Sequence, residues 1–489
     1  MHRYDERTRR IADAVFAYTR ERLALDPVPL DHAIAPEALA ALVPNLIGPT
    51  GNDPEHVLRL YSDVLAQAVI SCDSPRFLAF IPAAPTKASL LFDMVVSCAS
   101  ISGISWIESA GAVHAENQAL RFLSDLAGLP ASAGGVFVQG GSAANLSALV
   151  VARERARARR ASGGTRAPMR FAVSEQTHSS VANTMRIIDV DPLVVRCPDD
   201  RLTGAALAAA LEADDDPASV TAVVTTAGTT NAGLVDDLTG VAQVCADRDL
   251  WMHVDAAYGG AALLAPSVRA RFAGIEHADS LVIDPHKWLY APFDCAALLY
   301  RDPSFARVVH TQDASYLDVI HEDAHGWNPS DYAYQLTRRA RGLPLWFSLA
   351  VYGSDAYRDA IEGVLAMAHA AAERIASLPQ LELVREPELS VVLFRRKGWA
   401  DADYDAWSAR LLEDQIAFVA PSRWHGEAVA RLAFLHPETT MAIVDESRVR
   451  RARGGDDGSD RSRIVVGLEC GGKCRAGETV VGAPDDEGV

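Results

Sequence analysis

The apolar run Ser280-Leu281-Val282-Ile283 leads straight into Asp284-Pro285-His286-Lys287-Trp288. Proline cannot donate to a sheet ladder, so this reads as a buried strand that stops abruptly. His286 and Lys287 then sit just past its end, where ligands bind in an open α/β sheet. Desolvation by Trp288, Leu289 and Tyr290 favours a neutral, nucleophilic amine, the form that condenses with an aldehyde. The competing reading is an ordinary surface lysine after a strand.

Three more features fall at strand ends. Gly140-Gly141-Ser142 follows the strand-like Gly135–Val138 and opens a helix. Glycines let backbone N–H groups approach an anion, and a helix N-terminus with a hydroxyl favours phosphate. Neither G-x-G-x-x-G nor a Walker lysine is present, so nucleotide fingerprints are unsupported, and a plain tight turn is the alternative. Asp255 ends the run Trp251–Val254. A buried aspartate needs a cationic or donor partner, such as a protonated pyridine nitrogen; otherwise it caps the next helix. His178 follows Phe171-Ala172-Val173, as a helix-entry residue or as a plate lying flat on an aromatic ring. Lys287 follows Asp255 by 32 residues, about one strand–helix–strand unit. Anion cradle, stacking histidine, pyridinium partner and Schiff-base lysine together are what pyridoxal 5'-phosphate requires.

These residues need a scaffold of alternating strands and helices. From about 86 to 355 strand-like runs (135–138, 170–173, 222–226, 251–254, 281–283, 296–300) alternate with helical stretches, which predicts a mostly parallel sheet covered on both faces. Residues 1–85 read as an N-terminal helical segment, with Ile11, Val15, Phe16 and Tyr18 on one side of a helix over about 5–25. That segment has too little chain to bury its apolar faces alone, so it is expected to pack on the main domain or on a partner subunit. Residues 356–451 read as a smaller α+β domain, with a helix over 356–378 and strands at 382–385, 390–395 and 430–435. The Gly/Asp-rich stretch 452–489 is expected to be poorly ordered. Its Cys470 and Cys474 offer half a tetrahedral site without a nearby histidine, so no metal is expected.

Composition excludes several classes. The chain has 489 residues, 49% hydrophobic and 22% charged, as in globular proteins. A net charge of −18 argues against nucleic-acid partners. The N-terminus has no apolar h-region, and the apolar region 89–107 is broken by Asp93, so neither a secretory signal nor a membrane span is expected. Seven cysteines, mostly scattered singly, fit reduced thiols in the cytoplasm.

The chain resembles the group II pyridoxal-phosphate amino-acid decarboxylases, most closely the aromatic-L-amino-acid branch, over roughly residues 8–450. The resemblance rests on Pro75-Arg76-Phe77, Gln139 to Val150, Glu175 to Val181 and Gly228-Thr229-Thr230. It continues through His253 to Tyr258, Asp284 to Trp288, Phe293-Asp294-Cys295, and Arg338 to Arg341 before Leu345-Trp346-Phe347. It implies the aspartate-aminotransferase fold (fold type I) and a homodimer with the site at the subunit interface. Lys287 would bind the cofactor aldehyde and Asp255 the ring nitrogen. His178 and Ala257 would flank the ring, Gly141, Ser142 and His286 would hold the phosphate, and Thr226 would lie beside the cofactor. Phe80, Pro82 and Ala83 would lie near the substrate side chain. A loop tyrosine, Tyr332 or Tyr334 within 312–334, would deliver a proton.

The implied reaction is decarboxylation of an aromatic L-amino acid to its amine. Two alternatives stand beside it. One is another pyridoxal-phosphate reaction, such as aldehyde-forming oxidative deamination, transamination or a lyase step. The other is a non-catalytic, cofactor-binding regulator.

Overall fold

Seven short runs build the main sheet: β1 (Gly134–Val138), β2 (Arg170–Ser174), β3 (Asp191–Val195), β4 (Val220–Thr226), β5 (Trp251–Asp255), β6 (Ser280–Ile283) and β7 (Ala296–Tyr300). In the computed structural model, which describes residues 2–82, 84–161, 168–317 and 326–449, β5, β6 and β7 are buried at every residue. Continuous rather than alternating burial is the mark of strands covered on both faces. The two faces still separate by side-chain alternation. Phe137, Val223, Met252 and Leu281 enter one core, whereas Val136, Val224, Trp251 and Val282 enter the other.

The strand order is β1-β7-β6-β5-β4-β2-β3. Neighbours from β6 through β5, β4 and β2 to β3 are parallel, and β7 is antiparallel to both β6 and β1. β1 therefore runs in the same direction as β6. The carboxyl ends of β1, β6, β5, β4 and β2 meet on one rim, which is what positions the site. The edge strand β3 has no counterpart in the sequence reading: it carries Pro192 and exposed residues, features tolerated only where one ladder is unpaired.

The N-terminal helices α1 (Glu6–Leu23), α2 (Pro36–Leu42) and α3 (Pro54–Leu60) bury no residue completely. Phe16, on the apolar side of α1, is 51% exposed. The apolar region 89–107 is divided between α4 (Lys87–Cys98) and α5 (Trp106–Leu126). No helix among the described residues is long and apolar enough to cross a membrane. The crossovers of the sheet include α6 (Gly141–Ala161), α7 (Ser179–Ile187), α8 (Gly204–Glu212) and α9 (Leu238–Arg248), and α10 (Ser304–His310) follows β7.

Helix α11 (Leu343–Ala376) breaks at Gly353, whose φ of +75° lies in the left-handed region that favours glycine. A second sheet follows, of β8 (Leu381–Leu383), β9 (Val391–Arg396), β10 (Ser422–Trp424) and β11 (Glu427–Ala433). It is antiparallel throughout, in the order β10-β11-β9-β8, and is accompanied by α12 (Asp401–Glu413) and α13 (Met441–Val449). Arg431 of β11 ties it to the main unit, donating to the Phe80 and Thr230 carbonyls at 3.1 and 2.6 Å. Residues 452–489, with Cys470 and Cys474, lie outside the described residues; among those described, no group of His, Cys, Asp and Glu could hold a metal ion.

Candidate active site

Loops and helix starts after five strands enclose a cavity of about 570 Å3. Each side chain reaches it for a local reason. After β1 the chain turns through Gln139 and Gly140 into α6, so the N-terminal end of α6, with its partial positive charge, faces the cavity. A Cβ on Gly141 would lie 2.8 Å from Asp284 Oδ2 and 3.3 Å from Ala257 Cβ, so only glycine brings this backbone so close.

After β6, Asp284 is nearly fully enclosed. Its Oδ2 accepts the Gly141 N–H at 3.1 Å and lies 3.2 Å from Lys287 Nζ, while Oδ1 has no hydrogen-bond partner among the described residues. The imidazole of His286 lies 3.8 Å from the same carboxylate, and its Nδ1 donates to the Cys295 carbonyl oxygen at 2.6 Å. Burial lowers its proton affinity below that of a free histidine.

β4 and β5 pair Thr226 with Asp255 in register. Asp255 Oδ1 accepts the Ala257 N–H at 3.1 Å, and Oδ2 accepts from Asn145 Nδ2 at 2.9 Å. Both oxygens stay acceptors, which suits a carboxylate facing a protonated ring nitrogen. Thr226 donates its backbone N–H to Asp236 Oδ2 at 2.7 Å, but its hydroxyl, Oγ1, is buried without a partner among the described residues. An orphaned hydroxyl on a cavity wall is suited to a ligand oxygen or nitrogen. Asp236 also accepts the Leu202 N–H at 2.8 Å, and burial pushes its carboxyl up to about 7.

After β2, His178 caps α7, its Nδ1 accepting the Ser180 N–H at 3.2 Å. Tyr334 lines the same cavity, and its hydroxyl accepts from Gln139 Nε2 at 2.9 Å.

The cavity thus brings together Gly141, Ser142, His178, Thr226, Asp255, Ala257, His286 and Lys287. Tyr332 and the substrate-side residues lie elsewhere. Tyr332 is packed inside, its ring stacked on Trp327 at 4.0 Å, and burial pushes its phenol up to about 12. The two tyrosines part because Tyr332 ends the tight turn Pro329–Tyr332, whereas Tyr334 follows the extended Ala333, so the chain changes direction between them. Phe80 is 59% exposed, in an aromatic group with Phe77 and Phe418, and neither Phe80 nor Pro82 lines the cavity. Ala83 and residues 318–325 of the expected loop lie outside the described residues.

Sequence reasoning missed Asp284 as a site residue and also missed Asn145. Asn145 sits on the buried side of α6 among Ala144, Ala148 and Leu149, and an amide on an apolar helix face is the signal that could have found it.

Comparison with known proteins agrees with this geometry. The model for the pyridoxal-dependent decarboxylase conserved domain matches residues 36–397. An aromatic-L-amino-acid decarboxylase of Bacillus atrophaeus is 30% identical over 425 residues, covering 84% of this chain and 88% of that protein. An L-2,4-diaminobutyrate decarboxylase of Rhizobium meliloti is 34% identical over 384 residues, covering 76% of each. The crystal structure of Oryza sativa TDC with PLP and tryptamine superposes with a TM-score of 0.83 at 25% identity, covering 91% of this chain and 97% of that one. The family model's match to residues 36–397, most of the chain, makes this protein a member of the pyridoxal-dependent decarboxylase family, with fold type I architecture.

Proposed function

We propose that the chain removes the α-carboxylate of an aromatic L-amino acid as carbon dioxide and releases the amine. One observation carries the reading: Lys287 and Asp255, from the ends of adjacent strands, face one cavity together with the first turn of α6. When bound, pyridoxal phosphate supplies an aldehyde for the substrate amine and a pyridinium ring that accepts the electron pair left by the departing carboxylate.

The residues present fit that group. Lys287 would hold its aldehyde carbon, Gly141, Ser142 and His286 its phosphate, and Asp255 its ring nitrogen. His178 and Ala257 would flank the ring, and Thr226 Oγ1 would gain the partner it lacks. Asp255, fixed by Asn145 and the Ala257 N–H, keeps a proton on the facing nitrogen by offering it an acceptor. Apolar packing of Tyr258 against Trp288, with ring centroids 5.3 Å apart, backs the cavity floor. Tyr334 is the phenol best suited to move a proton within the cavity: Gln139 donates to its oxygen, which leaves its own proton available.

The aromatic preference is supported by the rings of Phe77, Phe80 and Phe418 beside Pro82. The nearby Arg431 is engaged with backbone carbonyls, so it offers no free cation for an acidic side chain. Exposed Phe16 and Phe80 support a homodimer in which Phe80, Pro82 and Ala83 serve the partner's cavity. The cysteines among the described residues are free, which supports a reducing, cytoplasmic setting.

The test is to incubate purified protein with pyridoxal phosphate and a panel of amino acids, then identify products by mass spectrometry. Amine with carbon dioxide from an aromatic substrate is expected. Aldehyde with peroxide would assign oxidative deamination instead, and cofactor absorbance without any product would leave a binding protein.

A further inference from the structure

Behind the cavity wall a chain of side-chain hydrogen bonds runs from Trp251 to His178. Trp251 Nε1 lies 2.9 Å from Ser280 Oγ, which lies 2.8 Å from His253 Nδ1. His253 Nε2 lies 2.9 Å from Asn145 Oδ1. Asn145 Nδ2 reaches both Asp255 Oδ2 at 2.9 Å and Ser180 Oγ at 3.1 Å, and Ser180 Oγ lies 2.8 Å from His178 Nδ1. Trp251, Ser280, His253 and Asn145 are all essentially fully buried, and none of the first three lines the cavity.

We propose that Trp251, Ser280, His253 and Asn145 are positioning residues: their one-way hydrogen bonds hold Asp255 in place and end in a His178 whose proton is on Nε2.

The direction follows from donor and acceptor chemistry at both ends. The Asp255 carboxylate only accepts, so the Asn145 atom facing it is the NH2 group, and Oδ1 must face His253. Oδ1 accepts, so His253 carries its proton on Nε2. Burial holds His253 neutral, down to about 4, so Nδ1 is a bare acceptor. Ser280 then donates to Nδ1 and accepts from Trp251 Nε1, which can only donate. The two ends therefore require the same orientation of every group between them.

On the other branch, the second Asn145 N–H donates to Ser180 Oγ, and the Ser180 hydroxyl donates to His178 Nδ1. The Ser180 backbone N–H points at that same nitrogen from 3.2 Å. Two donors converging on Nδ1 require a lone pair there, so the proton of neutral His178 is on Nε2. No partner for Nε2 exists among the described residues, and His178 lines the cavity. His178 thus offers the ligand a donor and not an acceptor. Asn145 is the junction: one amide steadies both the carboxylate for the ring nitrogen and the serine that orients the ring-stacking imidazole.

The consequence for the ring rests on the cofactor assignment above, but the tautomers do not. The test uses the full-length protein labelled with 15N-histidine, with and without pyridoxal phosphate, in long-range proton–nitrogen correlation spectra. Subtraction of the His178→Gln and His253→Gln spectra assigns the two signals. Protonated Nε2 and bare Nδ1 are expected for both histidines in the cofactor-free wild type; a protonated Nδ1 at either overturns the proposal.

A cofactor titration then tests positioning. Asn145→Ala should weaken pyridoxal phosphate binding about tenfold with an unchanged circular dichroism spectrum. His253→Gln, which retains a donor toward Asn145, should stay within about twofold of wild type, while His253→Leu loses about tenfold. Equal affinities for the two His253 variants overturn the positioning role, even if Asn145→Ala does not fold. Wild-type protein that binds no cofactor would sink the cofactor assignment, and leave the tautomers to be decided by the spectra.

Discussion

Lys287 Nζ and the Gly141 N–H converge on a single oxygen, Asp284 Oδ2, at 3.2 and 3.1 Å. One enclosed carboxylate therefore links the amine that would take the cofactor aldehyde to the helix start that would take its phosphate. Asp284 has no room to turn toward solvent, so its charge must be met where it stands.

Lys287→Ala removes both the proposed nucleophile and the amine beside Asp284. Borohydride treatment should then fix no cofactor to the protein, and turnover should fall to background. The melting temperature should also drop, by the equivalent of about 1–3 kcal/mol after allowance for partial exposure of the amine. Cofactor still fixed at another lysine would remove Lys287 from the mechanism.

Asp255→Asn keeps the shape and contacts near Asn145 but removes the negative charge facing the ring nitrogen. Turnover should fall at least ~100-fold, about 3 kcal/mol of transition-state stabilisation, while cofactor remains attached through Lys287. Undiminished kcat in this variant would contradict the ring-nitrogen role.

Thr226→Val replaces a buried, unpartnered hydroxyl with a methyl group of similar size. Cofactor-free protein should be as stable as wild type or more so, because a desolvated donor is gone. Cofactor affinity should fall roughly fivefold to tenfold if the hydroxyl serves the ligand. Calorimetry with and without pyridoxal phosphate reads both effects, and weaker stability without weaker binding would give Thr226 a structural role only.

The two tyrosines separate cleanly. Tyr334→Phe should bind cofactor normally and change the ratio of amine to other products, since its hydroxyl lies in the cavity beside Gln139. Tyr332→Phe should leave product identity unaltered, its ring being stacked on Trp327. The reverse pattern in product analysis would return the proton-delivery role to Tyr332.

Glu116 of α5 is enclosed, accepts the Gly342 N–H at 2.7 Å, and is pushed by burial from 4.5 up to about 7. The folded protein thus keeps a proton that the unfolded chain gives up between these values. The stability from this group is complete below the unfolded value and is lost as pH rises through about 7. Glu116→Gln stays neutral, so its melting temperature should fall less than that of wild type between about pH 6 and pH 8. At the upper end the variant should be more stable by roughly 1–3 kcal/mol. A steeper fall would mean that Arg338 and Arg341 stabilise an ionised Glu116.

The amino-acid sequence by itself determined the strands that are buried on both faces and the turns that end them. Runs such as 251–254 and 281–283 are too apolar to face water, and Pro285, Gly140 and Gly141 restrict or free the backbone where a strand must stop. That local chemistry was enough to mark Lys287, Asp255, His178 and the glycine cradle. It was not enough for β3, whose Pro192 and exposed residues make sense only at a sheet edge. Tertiary structure alone decided that β1 runs parallel to β6 with β7 between them, because β1 pairs with β7 from a segment more than a hundred residues away in the chain. It also decided that Tyr334 and not Tyr332 faces the cavity, and that Asn145 joins Asp255 to His178. Those choices depend on which face of an element meets which neighbour, and a linear chain carries no distance between residues 145 and 255 until the sheet brings them within a hydrogen bond.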